Sequence, residues 1–133
     1  MCMFTNFNVK PYRKKKVAYK VVAKDGFRSI FVNTDDFEVG IEYKAQPYNR
    51  GCLHDQIGFH AYLKKEDAIR VKDSLDADRV DSMKISPALT VVKIRVRDIQ
   101  EAGIGSTCYL DIAEKYIAIA ARFMTILGEV AIN

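Results

Sequence analysis

Leu89-Thr90-Val91-Val92-Lys93-Ile94-Arg95-Val96-Arg97 is the stretch on which the fold turns. Val92, Ile94 and Val96 alternate with Lys93, Arg95 and Arg97. A period of two puts the first three on one face of a strand and the cations on the other, a separation that helical spacing would scramble. One face of this strand therefore seeks a core and the other seeks water.

Reading outward, Val17–Ala23 and Phe27–Asn33 are rich in Val, Ile, Phe and Tyr, and Lys24-Asp25-Gly26 separates them. Asp-Gly between two such runs predicts a β-hairpin. Ile41–Gln46 is a short strand candidate, residues 47–56 carry the turn formers Pro47, Asn49 and Gly51, and Gly58–Leu63 is a further strand. A helix is expected near Lys65–Leu75, because Glu66 and Asp67 suit the positive helix start while Ala68, Val71 and Leu75 share one face. The polar segment Asp76–Pro87 is expected to end it. Leu110–Leu127 holds good helix formers but is apolar almost all round, so two buried strands, Tyr116–Ala120 and Phe123–Leu127, are favoured over a helix. The fold class expected is α+β: a mostly antiparallel β-sheet with one main helix packed on a face.

At 133 residues the chain is the size of one domain. Its organisation reads as a basic N-terminal arm over 1–16 and a single α+β domain over 17–133. Lys10, Arg13, Lys14, Lys15 and Lys16 stand in that arm without an acid, whereas residues 17–133 hold 16 basic against 17 acidic residues, a net of −1. The positive charge thus belongs to the arm and not to a basic domain. Phe4, Phe7 and Tyr12 leave two possibilities open, a solvated leader or an arm packed on its own domain or on a neighbouring subunit.

Cys2, Cys52 and Cys108 form no Cys-x-x-Cys pair, which argues against a disulfide scaffold or a zinc ribbon and for a reducing compartment. No window is apolar enough for a membrane helix, and no secretory signal is evident. A soluble, cytoplasmic protein without a membrane partner is expected, in the host cytoplasm if the chain is viral.

No catalytic motif is present. There is no Gly-x-x-x-x-Gly-Lys-Ser/Thr loop and no Gly-x-Gly-x-x-Gly fingerprint. Cys52, His54, Asp55 and His60 offer metal-ligand types at a spacing that matches no structural zinc pattern, and a Cys52–His60 nucleophilic pair lacks an orienting third group. No metal, no cofactor and no catalytic residue is therefore assigned, and a binding protein is favoured over an enzyme.

Candidate ligand-binding residues are cations and rings on otherwise apolar strands. Lys93, Arg95 and Arg97 stand about 6.8 Å apart along one strand face, a stripe that suits phosphate, or else a solvated face neutralised by Asp98 and Glu101. Arg28 lies on a strand whose two faces are both largely apolar, and Arg122 is the sole charge within Tyr116–Leu127. An unpaired buried guanidinium is costly, so Arg122 calls for an anion, either an internal carboxylate such as Glu129 or a ligand. His60 and Tyr62 share a strand face and could contact a nucleobase; alternatively Tyr62 packs and His60 finds a backbone partner.

The order Ala18-Tyr19-Lys20-Val21-Val22, Phe37-Glu38-Val39-Gly40-Ile41-Glu42-Tyr43, Gly58-Phe59-His60-Ala61-Tyr62 with Glu66-Asp67-Ala68, Val91–Val96 and Ile126-Leu127-Gly128-Glu129 resembles short phage-encoded proteins of unassigned function. By analogy of size and residue types, it is similar to the Thoeris anti-defence sponges, which are oligomeric and sequester cyclic ADP-ribose signals. That analogy implies a homo-oligomer holding a phosphate-containing nucleotide through Arg28, His60, Tyr62, Arg95, Arg97 and Arg122. Gly58–Ala68 also resembles the central strand-to-helix element of ADP-ribosyltransferases, which implies a divergent transferase as a further alternative. The remaining alternative is a protein or nucleic-acid interaction module that uses the basic arm and the basic strand face.

Overall fold

A computed structural model describes residues 2–28, 36–45, 58–81, 88–106 and 116–131. The strands are β1 (Cys2–Asn6), β2 (Val17–Ala23), β3 (Glu42–Lys44), β4 (Phe59–Tyr62), β5 (Leu89–Ser106) and β6 (Tyr116–Glu129); the helix α1 is Lys65–Asp81. The architecture is α+β, an antiparallel sheet with one helix packed against it.

The two longest strands build the frame. β5 pairs with β6 on one edge from Val92 to Gly105, and on its other edge with β2 at its start and β1 at its end. β6 in turn pairs with β4 and β3 on its free edge. Because Tyr19 of β2 also pairs with Tyr62 of β4, the circuit β2–β5–β6–β4 closes on itself. The circuit, closed at the β2–β4 seam by a single residue pair, encloses a core between the four strands.

The enclosed core is the face that the alternation of β5 selected. Ala18 and Val22 from β2, Ala61 from β4, Val92, Ile94 and Val96 from β5, and Ile119, Met124 and Ile126 from β6 form one buried cluster. Apolar burial of this kind is the main stabilising term, at about 25 cal/mol per Å² removed from water. The opposite faces of β2, β4 and β6 place Val21, Tyr62, Ala118 and Ala120 against Ala68 and Val71 of α1. Ala68 and Val71 are the buried positions of the predicted helical stripe, and Leu75 packs beside them.

Several sequence expectations change in detail. The helix does not stop at Leu75 but runs to Asp81, since a polar stretch without Gly or Pro does not by itself break a helix, and Lys72 Nζ reaches Asp76 at 2.8 Å one turn on. The two C-terminal strands are one, β6, in which Arg122 and Phe123 interrupt the buried pattern without ending the strand. β3 and β4 are shorter than predicted, each by a residue or more at its ends. In the predicted hairpin, β2 ends at Ala23 and a turn with Gly26 at φ 72° and Phe27 at φ 51° brings Ala23 N–H onto the Arg28 carbonyl at 2.8 Å. Of the strand expected over Phe27–Asn33, Phe27 lies in the turn and Arg28 follows it outside any strand, and residues 29–33 lie outside the described residues, as does the loop expected at 47–56.

Of the two possibilities for the arm, packing on its own domain is the one observed. β1 pairs with Gly103–Ser106, Phe7 N–H donates to Ala102, and a 3₁₀ turn at Lys10–Tyr12 follows. Residues three apart eclipse in such a turn, so Val9 and Tyr12 fall together against the enclosed core while the cations point to solvent.

Candidate functional site

The outward face of β5 carries Lys93, Arg95 and Arg97, all exposed, above the buried Val92, Ile94 and Val96. Basic residues of the preceding segment join them. Val17 pairs with Arg95, and Val96 N–H donates to the Lys16 carbonyl at 2.8 Å, so the end of the arm runs alongside this part of β5. Lys14, Lys15 and Lys16 are exposed there. Two segments remote in sequence thus place six exposed cations on neighbouring backbone.

Beyond Val96 the alternation breaks in both long strands at once. Arg97 and Asp98 both lie outside between buried Val96 and Ile99, and opposite them Arg122 and Phe123 lie between buried Ala121 and Met124. Asp98 adopts φ 58°, a left-handed conformation that an acidic residue tolerates better than a β-branched one and that lets the strand turn over. The turned-over residues satisfy one another. Arg122 Nε lies 3.5 Å from Asp98 Oδ2, and Gln100 Nε2 donates to Asp98 Oδ1 at 2.6 Å. The carboxylate that Arg122 required is Asp98, not Glu129.

Arg97 is held on two sides. Its Nη2 and Nε donate to the Glu42 carboxylate at 2.8 and 3.3 Å, and its guanidinium carbon lies over the Phe123 ring, 3.9 Å from the centroid. Hydrogen bonding from Arg97 keeps the Glu42 carboxyl below its usual range, with the charges of Arg97 and Arg95 acting in the same direction. Arg95 is therefore near enough to be felt at Glu42. The side chains of Arg95, Lys93 and Lys14–Lys16 have no hydrogen bond or ion pair among the described residues.

The other predicted residues sit elsewhere. Arg28 follows the β2 turn and lies 3.5 Å from Asp36 and 3.8 Å from Asp25, so two carboxylates of this chain already face it. Tyr62 is 3% exposed, packs edge-on against Tyr116 with ring centroids 6.2 Å apart, and burial raises its phenol above the ordinary range. It is a core residue beneath α1. His60, two residues earlier on β4, is pushed down to about 3 by burial and by the nearby charge of Lys20, so it is neutral at pH 7. Arg95, Arg97 and Arg122 therefore share one region of the β5–β6 surface, whereas His60 and Tyr62 lie on β4 and Arg28 on the turn after β2.

Sequence reasoning missed Lys20. Its position between Ala18 and Val22 on the core-facing side of β2 leaves it 8% exposed, and its Nζ donates to the His60 carbonyl at 2.8 Å across the seam where β2 and β4 share one residue pair. Burial pulls the amine down to about 8. The signal was present in the alternation Ala18-Lys20-Val22, a charge on a face otherwise apolar, in the same way as Arg28. The partners Glu42 and Phe123 were also missed, because 55 and 26 residues of chain separate them from Arg97 and only pairing through β6 brings all three together.

Among the described residues no group of three His, Cys, Asp or Glu side chains is placed to hold a metal ion, and no helix is long and apolar enough to cross a membrane. Cys52, His54 and Asp55 lie outside the described residues. The fold and surface together define a small antiparallel β-barrel-like domain, one helix on its flank, with a cationic outer face. No family model, curated protein or solved structure matches the chain.

Proposed function

We propose that this protein is a polyanion-binding module whose β5 outer face and adjoining basic segment engage the phosphates of a nucleic acid. The observation that carries this reading is the junction of Lys16 with Val96, which runs the basic segment along β5 next to Arg95, while the side chains of Lys14–Lys16, Lys93 and Arg95 have no carboxylate partner among the described residues. Unpartnered surface cations attract phosphate without first breaking an ion pair, and each phosphate neutralised releases a condensed counterion. Fluorescence anisotropy of a labelled duplex across a salt series tests it. Five contacts give a slope of about −4.5 in log affinity against log salt, roughly a 500-fold loss over a fourfold rise in salt. Lys14→Ala, Lys15→Ala and Lys16→Ala combined should flatten that slope, as should Lys93→Ala with Arg95→Ala. Absence of binding to duplex and single strand alike at low salt, or a slope near zero, refutes the reading.

A second reading, sequestration of a phosphate-containing nucleotide such as a cyclic ADP-ribose isomer by a phage anti-defence-type homo-oligomer, draws support from three guanidiniums and one aromatic ring, Arg95, Arg97, Arg122 and Phe123, on a single stretch of surface. Against it stand the internal carboxylates already bound to Arg28, Arg97 and Arg122. Calorimetric titration with cyclic nucleotides decides: saturable heat abolished by Arg95→Ala with Arg97→Ala supports it, and no heat at high micromolar ligand removes it.

A further inference from the structure

The cationic face is not uniform. Lys14–Lys16, Lys93 and Arg95 have no side-chain partner among the described residues, whereas Arg97 is fixed at its edge by Glu42 and lies over Phe123. A guanidinium at 3.9 Å above an aromatic ring is at stacking distance, and the two hydrogen bonds to one carboxylate stop it from rotating away. Yet the Arg97 side chain remains 60% exposed. With its guanidinium carbon over the ring and a carboxylate on one edge, most of the side chain still stands open to solvent.

We propose that Arg97 is a stacking platform for an unpaired base, so that the polyanion this surface prefers is a single-stranded nucleic acid. Unpaired bases stack on guanidinium planes as they do on aromatic rings, and such stacking tolerates any base because each has a π face. In a duplex the base faces are already stacked on one another, and only phosphates and groove edges reach this surface. Glu42 acts as a positioning residue: its carboxylate takes two of the five guanidinium donors and fixes the orientation of the plane, which is then offered to a base while the neighbouring Lys93 and Arg95 meet the backbone. Phe123 supports the platform from below.

This inference rests on the polyanion reading, and the probes separate the two. Binding is compared for a thymidine oligonucleotide of about 16 nucleotides, an abasic chain of equal length and a duplex, with the full-length protein at fixed salt. The thymidine strand should bind more tightly than the abasic strand by about 5- to 150-fold, the range that a base stack supplies. Arg97→Lys keeps the charge but not the plane, and Phe123→Leu keeps bulk but not the ring. Both should erase the preference while leaving abasic and duplex affinity within about twofold of wild type, a loss from which the charge itself is excluded. A 2-aminopurine in the thymidine strand should change emission on binding to wild type and not to Arg97→Lys. Equal binding of thymidine and abasic strands by the wild type overturns the platform and leaves the polyanion reading standing. Failure of all three probes to bind overturns both.

Discussion

Lys20 and Arg97 are cations on neighbouring strands of one sheet, yet the inside and the outside of the closed circuit treat them differently. Lys20 is buried with a single carbonyl acceptor, and its environment opposes its charge. Arg97 keeps its charge on the surface, 60% exposed, where a carboxylate and a ring hold it. In the interior a charge costs stability and is retained for what it joins, here the β2–β4 seam. On the surface a charge contributes little to stability and is free to serve recognition.

The sharpest way to break that contrast is to empty the interior. Ile94 of β5 and Ile119 of β6 are fully buried in the enclosed core, and Ile119→Ala should lower unfolding free energy by about 2–5 kcal/mol in chemical denaturation. Arg95→Ala, on the opposite side of the same wall, should change it by less than about 0.5 kcal/mol. A loss at Arg95 matching that at Ile119 would mean that the outer face is covered in solution.

Lys20 provides the next test, through pH. With the folded amine near 8 and the unfolded one near its ordinary 10.4, the unfolded chain holds the proton between those values while the folded chain has lost it. Stability therefore rises with pH across that window, by up to about 3 kcal/mol, and the cost is fully present below pH 8. The difference in unfolding free energy between wild type and Lys20→Met, measured from pH 7 to 10.5, should shrink or change sign along this course. A difference independent of pH would show the ammonium to be solvated.

On its other side β4 pairs with β6 along its whole length, and the chain entering it passes close to Ala121. Gly58 has φ 136°, and a Cβ there would lie 2.7 Å from the Ala121 carbonyl oxygen. Gly58→Ala should cost about 1–3 kcal/mol, read as a lower denaturation midpoint. The smallest effect belongs to the surface: Glu42→Gln should leave the melting temperature unchanged within error while loosening Arg97, visible as a shift of its Nε–H resonance.

Much of this molecule was legible from alternation. Val92, Ile94 and Val96 are buried and Lys93, Arg95 and Arg97 exposed because a period of two is a local property of the backbone, and the helical stripe of Ala68, Val71 and Leu75 is equally local. The pairing of Arg122 with an anion was also foreseeable, since an arginine in an apolar run demands one. Which anion was not: Asp98 becomes the neighbour only when β5 and β6 turn over together at one level of the ladder.

The sequence by itself determined the strand faces, the helix face and the segregation of positive charge into residues 10–16, because each depends on residue spacing alone. Only the tertiary structure decided that β2–β5–β6–β4 close into a circuit, that Lys20 points inside it, and that the arm's cations lie beside those of β5. Those facts depend on register between segments distant in the chain. Register is set by how whole faces bury together, a sum over many weak contacts that no single stretch of sequence contains.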